Sequence, residues 1–324
     1  MTSLKTIGNQ LYSGERSFNF VGRRNLWYTI AAVAVILSIA LPIFRGGFNF
    51  GIEFRGGSEF RLTNSQSLSH DLAIEAIDSV VPGAQVTVTD VGTNDIRIQT
   101  EQLQDTESEA ARLALAQAYN VPDSEVASSF VGPNWGADVT RQAITGLAIF
   151  LGLVSLLMAF YFRSWKMSVA ALVALVHDLA LTAGVYAGVG FEVTPAAVIG
   201  FLTILAYSLY DTVVVFDKVR ENTLEIEYSE TRTFAEMVNL AVNQTLVRSI
   251  NTSVVAVLPV ASILFIGSAL LGAGTLRDIA LALFVGTIVG TYSSIFLAAP
   301  VYVHLRENED KLKAAAAKVV ASRA

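Results

Sequence analysis

The run Ala143–Phe162, AITGLAIFLGLVSLLMAFYF, holds no charged residue. As a helix it is about 30 Å long, the thickness of the hydrocarbon core of a bilayer. A helix on the surface of a soluble domain would carry a polar face, and this one has none. Five further stretches read the same way: Leu26–Phe44, Met167–Gly188, Pro195–Phe216, Ile250–Gly267 and Ile279–Ala299. Of the 324 residues, 53% are apolar and 15% charged, against about 25% charged in a soluble domain. The mean hydropathy is +0.52. The expected fold is a polytopic α-helical membrane protein with six transmembrane helices.

Composition removes several function classes. The chain has no cysteine, which excludes disulfides, thiolate metal sites and cysteine nucleophiles. It has three histidines, too few for a histidine-rich metal centre. The net charge of −6 argues against nucleic acid as a partner. No phosphate-binding loop, GxSxG elbow or HExxH run occurs. The expectation is a protein that is not an enzyme and holds neither cofactor nor metal.

Orientation follows from lysine and arginine at the span ends. The N-terminal tail carries Lys5, Arg16, Arg23 and Arg24. Arg163 and Lys166 follow the second span, and Lys218, Arg220, Arg232 and Arg248 follow the fourth. The C-terminal tail carries Arg306, Lys311, Lys313, Lys318 and Arg323. The alternate loops, Val189–Thr194 and Ser268–Thr275, have neither residue type. Both termini are therefore expected in the cytoplasm. Gly46–Thr140 is expected outside, and it carries 14 acidic residues against four arginines. The first apolar run exceeds the core of a signal peptide and no small-x-small cleavage site follows it, so it reads as an uncleaved helix. The expected organisation is a cytoplasmic tail 1–25, helix one 26–45, an extracytoplasmic domain 46–140, helices two to six over 141–302 with a cytoplasmic loop 217–247, and a cytoplasmic tail 303–324.

Within 46–140 the pattern changes from continuous to alternating. Ser58–Leu62 reads as a strand and Ser69–Val80 as a helix. Gln85–Val91 and Asp95–Gln99 read as a hairpin about the turn Gly92-Thr93-Asn94. Thr106-x-x-Glu109 reads as a capping box opening a helix to Tyr119, and Ser124–Val131 as a last strand. The order β-α-β-β-α-β is that of a ferredoxin-like α+β domain. His70 beside Asp71 reads as a solvated pair. A second capping box, Thr233-x-x-Glu236, opens an amphipathic helix expected to lie on the cytoplasmic membrane face.

Ionisable groups inside spans are costly and mark function by default. Asp178, preceded by His177, lies about 16 Å into the third span. Asp211 lies in the fourth, with Tyr207 and Ser208 one turn earlier on the same face, placed to hydrogen-bond it or hold water. A carboxyl group in a low-dielectric site binds a proton more readily, and a nearby arginine reverses that. Asp211 and Asp178 are thus candidate proton carriers, or alternatively a structural interhelical pair. Arg248 is a candidate switching partner, or an ordinary boundary charge. Asn251 and Thr252, at the start of the fifth span, are supporting polar groups. Arg277-Asp278 reads as an interfacial ion pair. Gly184-x-x-x-Gly188 and Gly286-x-x-x-Gly290 allow close helix approach, and Pro259 marks a kink.

Several runs go beyond pattern. Asn49-Phe50-Gly51-Ile52-Glu53-Phe54-Arg55-Gly56-Gly57 follows the first helix. Tyr207-Ser208-Leu209-Tyr210-Asp211-Thr212-Val213-Val214-Val215-Phe216-Asp217-Lys218 closes the fourth span. Gln244-Thr245-Leu246-Val247-Arg248-Ser249-Ile250-Asn251-Thr252-Ser253 opens the fifth, and Gly290-Thr291-Tyr292-Ser293-Ser294-Ile295-Phe296 lies in the sixth. Together these resemble the SecF branch of the SecD/SecF family, within the RND superfamily. Ala206 replaces the usual glycine, a small-for-small change. The resemblance implies an accessory subunit of Sec protein export in the bacterial plasma membrane. Such a subunit joins a SecD-like chain, works with the SecYEG channel and unfolded secretory polypeptides, contacts membrane lipid, and uses the proton gradient. It also implies that Asp211 and Arg248 are linked to proton passage, with His177 and Asp178 alongside them. The alternatives are half of an RND-type proton-driven exporter of small molecules or lipids, and a structural scaffold.

Overall fold

A computed structural model describes residues 4–63, 65, 67–91, 94–224, 226, 231–267 and 274–323. Six helices in it are long and apolar enough to cross a membrane: Arg24–Phe44, Asn134–Phe162, Trp165–Val189, Pro195–Thr223, Phe234–Gly267 and Leu276–Arg306. A small sheet domain lies between the first two. In chain order the elements are α1 (Leu4–Ser13), α2 (Arg24–Phe44), β1 (Asn49–Phe50), α3 (Ile52–Arg55), β2 (Gly57–Leu62), α4 (His70–Val80), β3 (Val86–Val91), β4 (Asp95–Thr100), α5 (Asp105–Ala118), β5 (Val126–Val131), α6 (Pro133–Phe162) and α7 (Trp165–Val189). They continue with β6 (Glu192–Val193), α8 (Pro195–Thr223), α9 (Phe234–Ser262), α10 (Gly274–Ser293), α11 (Ala299–Arg306) and α12 (Asp310–Arg323). The turn at Gly92-Thr93 and most of the loop at 268–275 lie outside the described residues.

The sheet runs β3-β4-β2-β5, antiparallel throughout. This is the strand order of a ferredoxin-like fold. Alternation builds its core: Phe60, Leu62, Ile96 and Ile98 point from one face onto Ala73 and Ile77 of α4 and Ala111 and Leu115 of α5. Each buried Leu or Ile contributes about 1.5–3 kcal/mol. The capping box of α5 sits two residues before the expected one. Gln104 is the cap, and its amide donates to Glu107 Oε2 at 2.8 Å. Glu109 instead accepts from Arg112 one turn on. His70 pairs with Asp90 of β3 at 2.9 Å, not with Asp71, because the sheet packs beside the start of α4.

Two further expectations change at helix ends. α6 begins at Pro133, well before the uncharged run, so it rises out of the hydrocarbon layer to meet the sheet domain. The stretch after Thr233 is no separate surface helix. The capping box Thr233/Glu236 forms as expected, but it opens α9, which runs unbroken into the fifth span. Pro259 lies inside α9, which then passes into a π-turn at Ile263–Gly267.

The sheet domain is tied to the membrane helices by backbone as well as side chains. β1 pairs in parallel with β6, the strand between α7 and α8. Glu192 of β6 accepts from Arg97 at 3.0 Å and from Gln99 at 2.8 Å, both on β4. Burial raises the pKa of the neighbouring Glu53 carboxyl above its usual range, and the negative charge of Glu192 adds to this. Gly56 and Gly57 make the turn into β2 with φ of 78° and 142°. A side chain on Gly57 would run into the carbonyl of Thr100. Gly57→Ala is expected to lower stability by about 1–3 kcal/mol, read as a drop in the thermal midpoint of the purified protein, with Gly146→Ala, in open space without a positive φ, as the control.

At the opposite end, α12 folds back on the bundle and buries Leu312, Ala315 and Val319. Glu309 bridges Arg306 at 2.8 Å and Lys166 at 2.7 Å. The Arg306 guanidinium, helped by Lys166, holds the Glu309 carboxyl down at about 2, from a usual 4.5. A depressed carboxyl contributes stability that is present above its unfolded pKa and lost as pH falls toward the folded value. Docking of α12 is therefore expected to weaken between pH 4.5 and 2, measured as rising hydrogen exchange in α12. Glu309→Gln should reduce that pH dependence, and Glu309→Gln with Glu236→Gln should abolish it, because Glu236 holds Arg323 of α12 and is also depressed to about 2.

Candidate functional site

The buried polar groups of the bundle gather where α7, α8, α9 and α10 meet. Asp178 of α7 is 1% exposed and Asp211 of α8 is 6% exposed. They share the bundle interior because α8 and α10 approach closely. A methyl group on Gly286 would strike Ile204, and one on Gly290 would fall 2.8 Å from Ser208 Cβ. These glycines bring the hydroxyl groups of α10 within reach of both carboxylates.

The two acids are bonded differently. Asp178 Oδ2 accepts from Ser208 at 2.5 Å and from Ser293 at 2.8 Å, while Oδ1 lies 3.1 Å from His177 Nδ1. Every oxygen of this carboxylate has a partner. Asp211 Oδ1 accepts from Ser249 of α9 at 2.7 Å. Its Oδ2 is buried without a hydrogen bond among the described residues, although the Ser294 hydroxyl stands beside the carboxylate. Thr212 and Ser294 join across α8 and the π-turn Ser294–Ala298 at 3.0 Å. Asp211 is thus a half-satisfied acid in a buried site, which is costly for its charged form.

Ser208 is near Asp211 on α8, as the spacing suggested, but it bonds Asp178. The helix turns its hydroxyl toward α7. Tyr207 is half-buried and forms no hydrogen bond with Asp211 among the described residues. Arg248 is exposed, and its Nη2 donates to Tyr210 Oη at 3.3 Å. No ion pair joins it to Asp211 among the described residues, yet its charge is near enough to act on that carboxylate. Asn251 is exposed, and Thr252 turns back to the carbonyls of Arg248 and Ser249. The bonding partners Ser249, Thr212 and Ser294 went unassigned in the sequence reading. Ser249 and Ser253 stand four residues apart on one face of α9, and that spacing was the available signal.

Asp278 does not pair with Arg277. It is buried at the start of α10 and accepts from Thr194 at 3.0 Å, the residue that caps α8. Arg277 instead lies over the Phe191 ring at 4.7 Å. No group of three or more metal-ligating side chains occurs among the described residues.

Comparison with known proteins covers the segments that build this site. The profile described as "Protein export membrane protein SecD/SecF, C-terminal" matches residues 113–308, and the "SecD/SecF GG Motif" profile matches residues 43–64. The chain belongs to the SecD/SecF family. Protein translocase subunit SecF of Streptomyces coelicolor is 45% identical over 325 residues, covering 100% of this chain and 86% of that protein. The SecF of Mycobacterium tuberculosis is 42% identical over 94% of this chain and 71% of its own length. The crystal structure of SecDF, a translocon-associated membrane protein from Thermus, superposes with a TM-score of 0.77 at 32% identity. It covers 90% of this chain and 39% of its own, so this SecD/SecF chain corresponds to one part of that fused protein.

The asymmetry of the two carboxylates has a measurable consequence. Asp178→Ala leaves Ser208, Ser293 and His177 buried without their acceptor and is expected to cost about 3 kcal/mol. Asp211→Ala strands only Ser249 and should cost about 1–2 kcal/mol. Thermal midpoints of the purified variants in one detergent rank the two.

Proposed function

We propose that this chain is an accessory subunit of the Sec protein-export machinery. With a SecD-like subunit it uses the proton gradient to promote passage of secreted polypeptides through a SecYEG-type channel. Its relatives are named protein translocase subunits, and the structural match is a chain in which SecD and SecF are fused. The tails and the α8–α9 connection share one end of the bundle with the basic residues, which favours a cytoplasmic position for that end. The sheet domain then lies outside.

The observation that carries the mechanism is Asp211 Oδ2, buried without a hydrogen bond among the described residues and beside the Ser294 hydroxyl. Ionised, the carboxylate holds α9 through Ser249 and feels Arg248. Protonated, it no longer needs either, and its new O–H can turn to Ser294. Loading a proton thus changes which of α9 and α10 the helix α8 is bonded to, a bias on helix packing rather than a covalent step. The consequence reaches the outer domain because α8 is capped at Thr194 and continues into β6, which pairs with β1 and holds Arg97 through Glu192. A shift along α8 pulls on the sheet domain, which is the element free to act on an emerging polypeptide.

Asp211→Asn is expected to lower gradient-stimulated export by about tenfold or more in a strain dependent on this gene, at unchanged protein level and with the SecD-like partner still co-purifying. Unchanged export overturns proton use. Normal export with altered sensitivity to small toxic compounds points to the exporter alternative.

A further inference from the structure

The groups around Asp211 leave unused a cluster of cations at the end of the bundle that holds both tails. A cleft of about 600 Å³ opens there between the α6–α7 turn, the end of α8 and the corner from α11 to α12. Arg163, Lys166, Arg220, Arg306 and Lys311 line it, and Glu309 is the only acid lining it among the described residues. Glu309 is already shared by Arg306 and Lys166. Arg163 is exposed and has neither an ion pair nor a hydrogen bond among the described residues. Arg220 is exposed as well, and among the described residues it donates only to the Tyr161 carbonyl, at 3.4 Å. A second cleft at the same end, of about 720 Å³, differs because its cations meet acids. There Arg24 pairs with Glu307 at 2.6 Å and Arg323 with Glu236 at 2.8 Å.

The cleft with Arg163 lies at the depth of lipid headgroups. α6 carries no charge from Ala143 to Phe162, about 30 Å of helix, and Arg163 follows at once. Leu153, Leu156, Leu157 and Phe160 form an exposed apolar stripe along the last turns of α6, a surface that acyl chains cover in a bilayer. Trp165 stands exposed at the lip of the cleft, with Lys166 Nζ 5.8 Å from its ring. Tryptophan collects where tails give way to headgroups. Buried Phe162, Met167 and Leu312 add apolar wall. Arg163 ends α6 in the left-handed region, with φ of 50°. Glycine takes that place with least strain, so it is the side chain and not the backbone that suits arginine to it.

We propose that this cleft binds the headgroup phosphate of an anionic phospholipid, whose acyl chains lie along α6. A basic hollow among helix ends, at headgroup depth, matches such a ligand in charge and in polarity. Arg163 and Arg220 supply the charge that no acid takes up among the described residues, and a guanidinium offers paired donors to phosphate oxygens. A soluble anion would use the cations but not Trp165 or the stripe on α6. A zwitterionic lipid would use the stripe but gain little from the arginines. The bound headgroup ties the α6–α7 turn to the end of α8, adding to the bond from Arg220 to the Tyr161 carbonyl. Binding there requires only that the helices cross a bilayer, and no proton step at Asp211.

The absence of native cysteine allows a local probe. Ser164 lines the cleft and makes no side-chain cap bond, so Ser164→Cys carries a fluorophore there at little cost. The full-length labelled chain, assembled with a cysteine-free SecD-like partner, is placed in vesicles of phosphatidylcholine and phosphatidylglycerol in equal amounts. One lipid or the other bears a nitroxide near the top of its acyl chain, and quenching reads which lipid sits at the cleft. Phosphatidylglycerol is expected to be favoured about 25-fold, from about fivefold per arginine. Arg163→Gly with Arg220→Gln should bring the ratio to about one, and Arg163→Lys with Arg220→Lys should keep most of it, which separates charge from packing. Lys313→Gln with Lys318→Gln, exposed on α12 and outside the cleft, should leave it unchanged. Equal quenching by the two lipids overturns the proposal, as does a ratio that survives loss of both arginines. An equal fall in the α12 variant means general surface charge, and overturns it too. Displacement of phosphatidylglycerol by excess glycerol 3-phosphate at constant ionic strength assigns the cleft to a soluble phosphate instead.

Discussion

Close contact between α8 and α10 is the constraint on which the rest of the bundle depends. Gly286 and Gly290 let the two backbones approach until Ile204 and Ser208 of α8 lie directly on α10. In a bilayer no hydrophobic force drives helices together, so small residues and interhelical hydrogen bonds carry the association. Here the same glycines do both. They permit the approach, and the Gly290 carbonyl anchors the hydroxyls of Ser293 and Ser294 where the helix loosens into a π-turn. A π-turn at this position rotates consecutive residues toward different neighbours. Ser293 bonds Asp178, while Ser294 bonds Thr212 and stands beside Asp211.

The difference between those acids follows from burial and bond count. Asp178 has three partners and behaves as an anchor for α7, α8 and α10 together. Asp211 has one hydroxyl donor fully engaged and an oxygen left over, beside an arginine that is solvent- or partner-facing rather than paired. A carboxylate in that condition holds a balance of bonds that small movements of its neighbours tip. The fold connects that balance to a distant domain through few joints: the Thr194 cap, the short β6 strand, and Glu192 gripping Arg97.

Much of this was legible beforehand. Six long apolar runs, four of them without a charged residue, admit only membrane helices, since backbone groups in lipid must be satisfied within the segment. Alternation from Ser58 to Val131 predicted the strand and helix order of the sheet domain. The errors lie where a side chain chooses between neighbours. Thr106 offered the expected cap for α5, but the helix starts two residues earlier, with Gln104 as its cap and Glu107 closing the box. His70 has acids on either side in space, though only Asp71 is adjacent in sequence. Asp278 follows Arg277 in the chain, but a helical step turns them about 100° apart, one inward to Thr194 and one outward to Phe191.

By itself, the sequence determined membrane class, the number of spans, the sheet domain between the first two, and the presence of two intramembrane carboxylates on α7 and α8. Those features depend on composition and on periods of 2 and 3.6 residues, which are local. Only the tertiary structure decided that Ser208 serves Asp178, that Ser249 and Ser294 attend Asp211, and that Arg248 is exposed and bonds Tyr210. Those facts depend on how helices rotate about their axes when glycines let them touch, and no single helix carries that information.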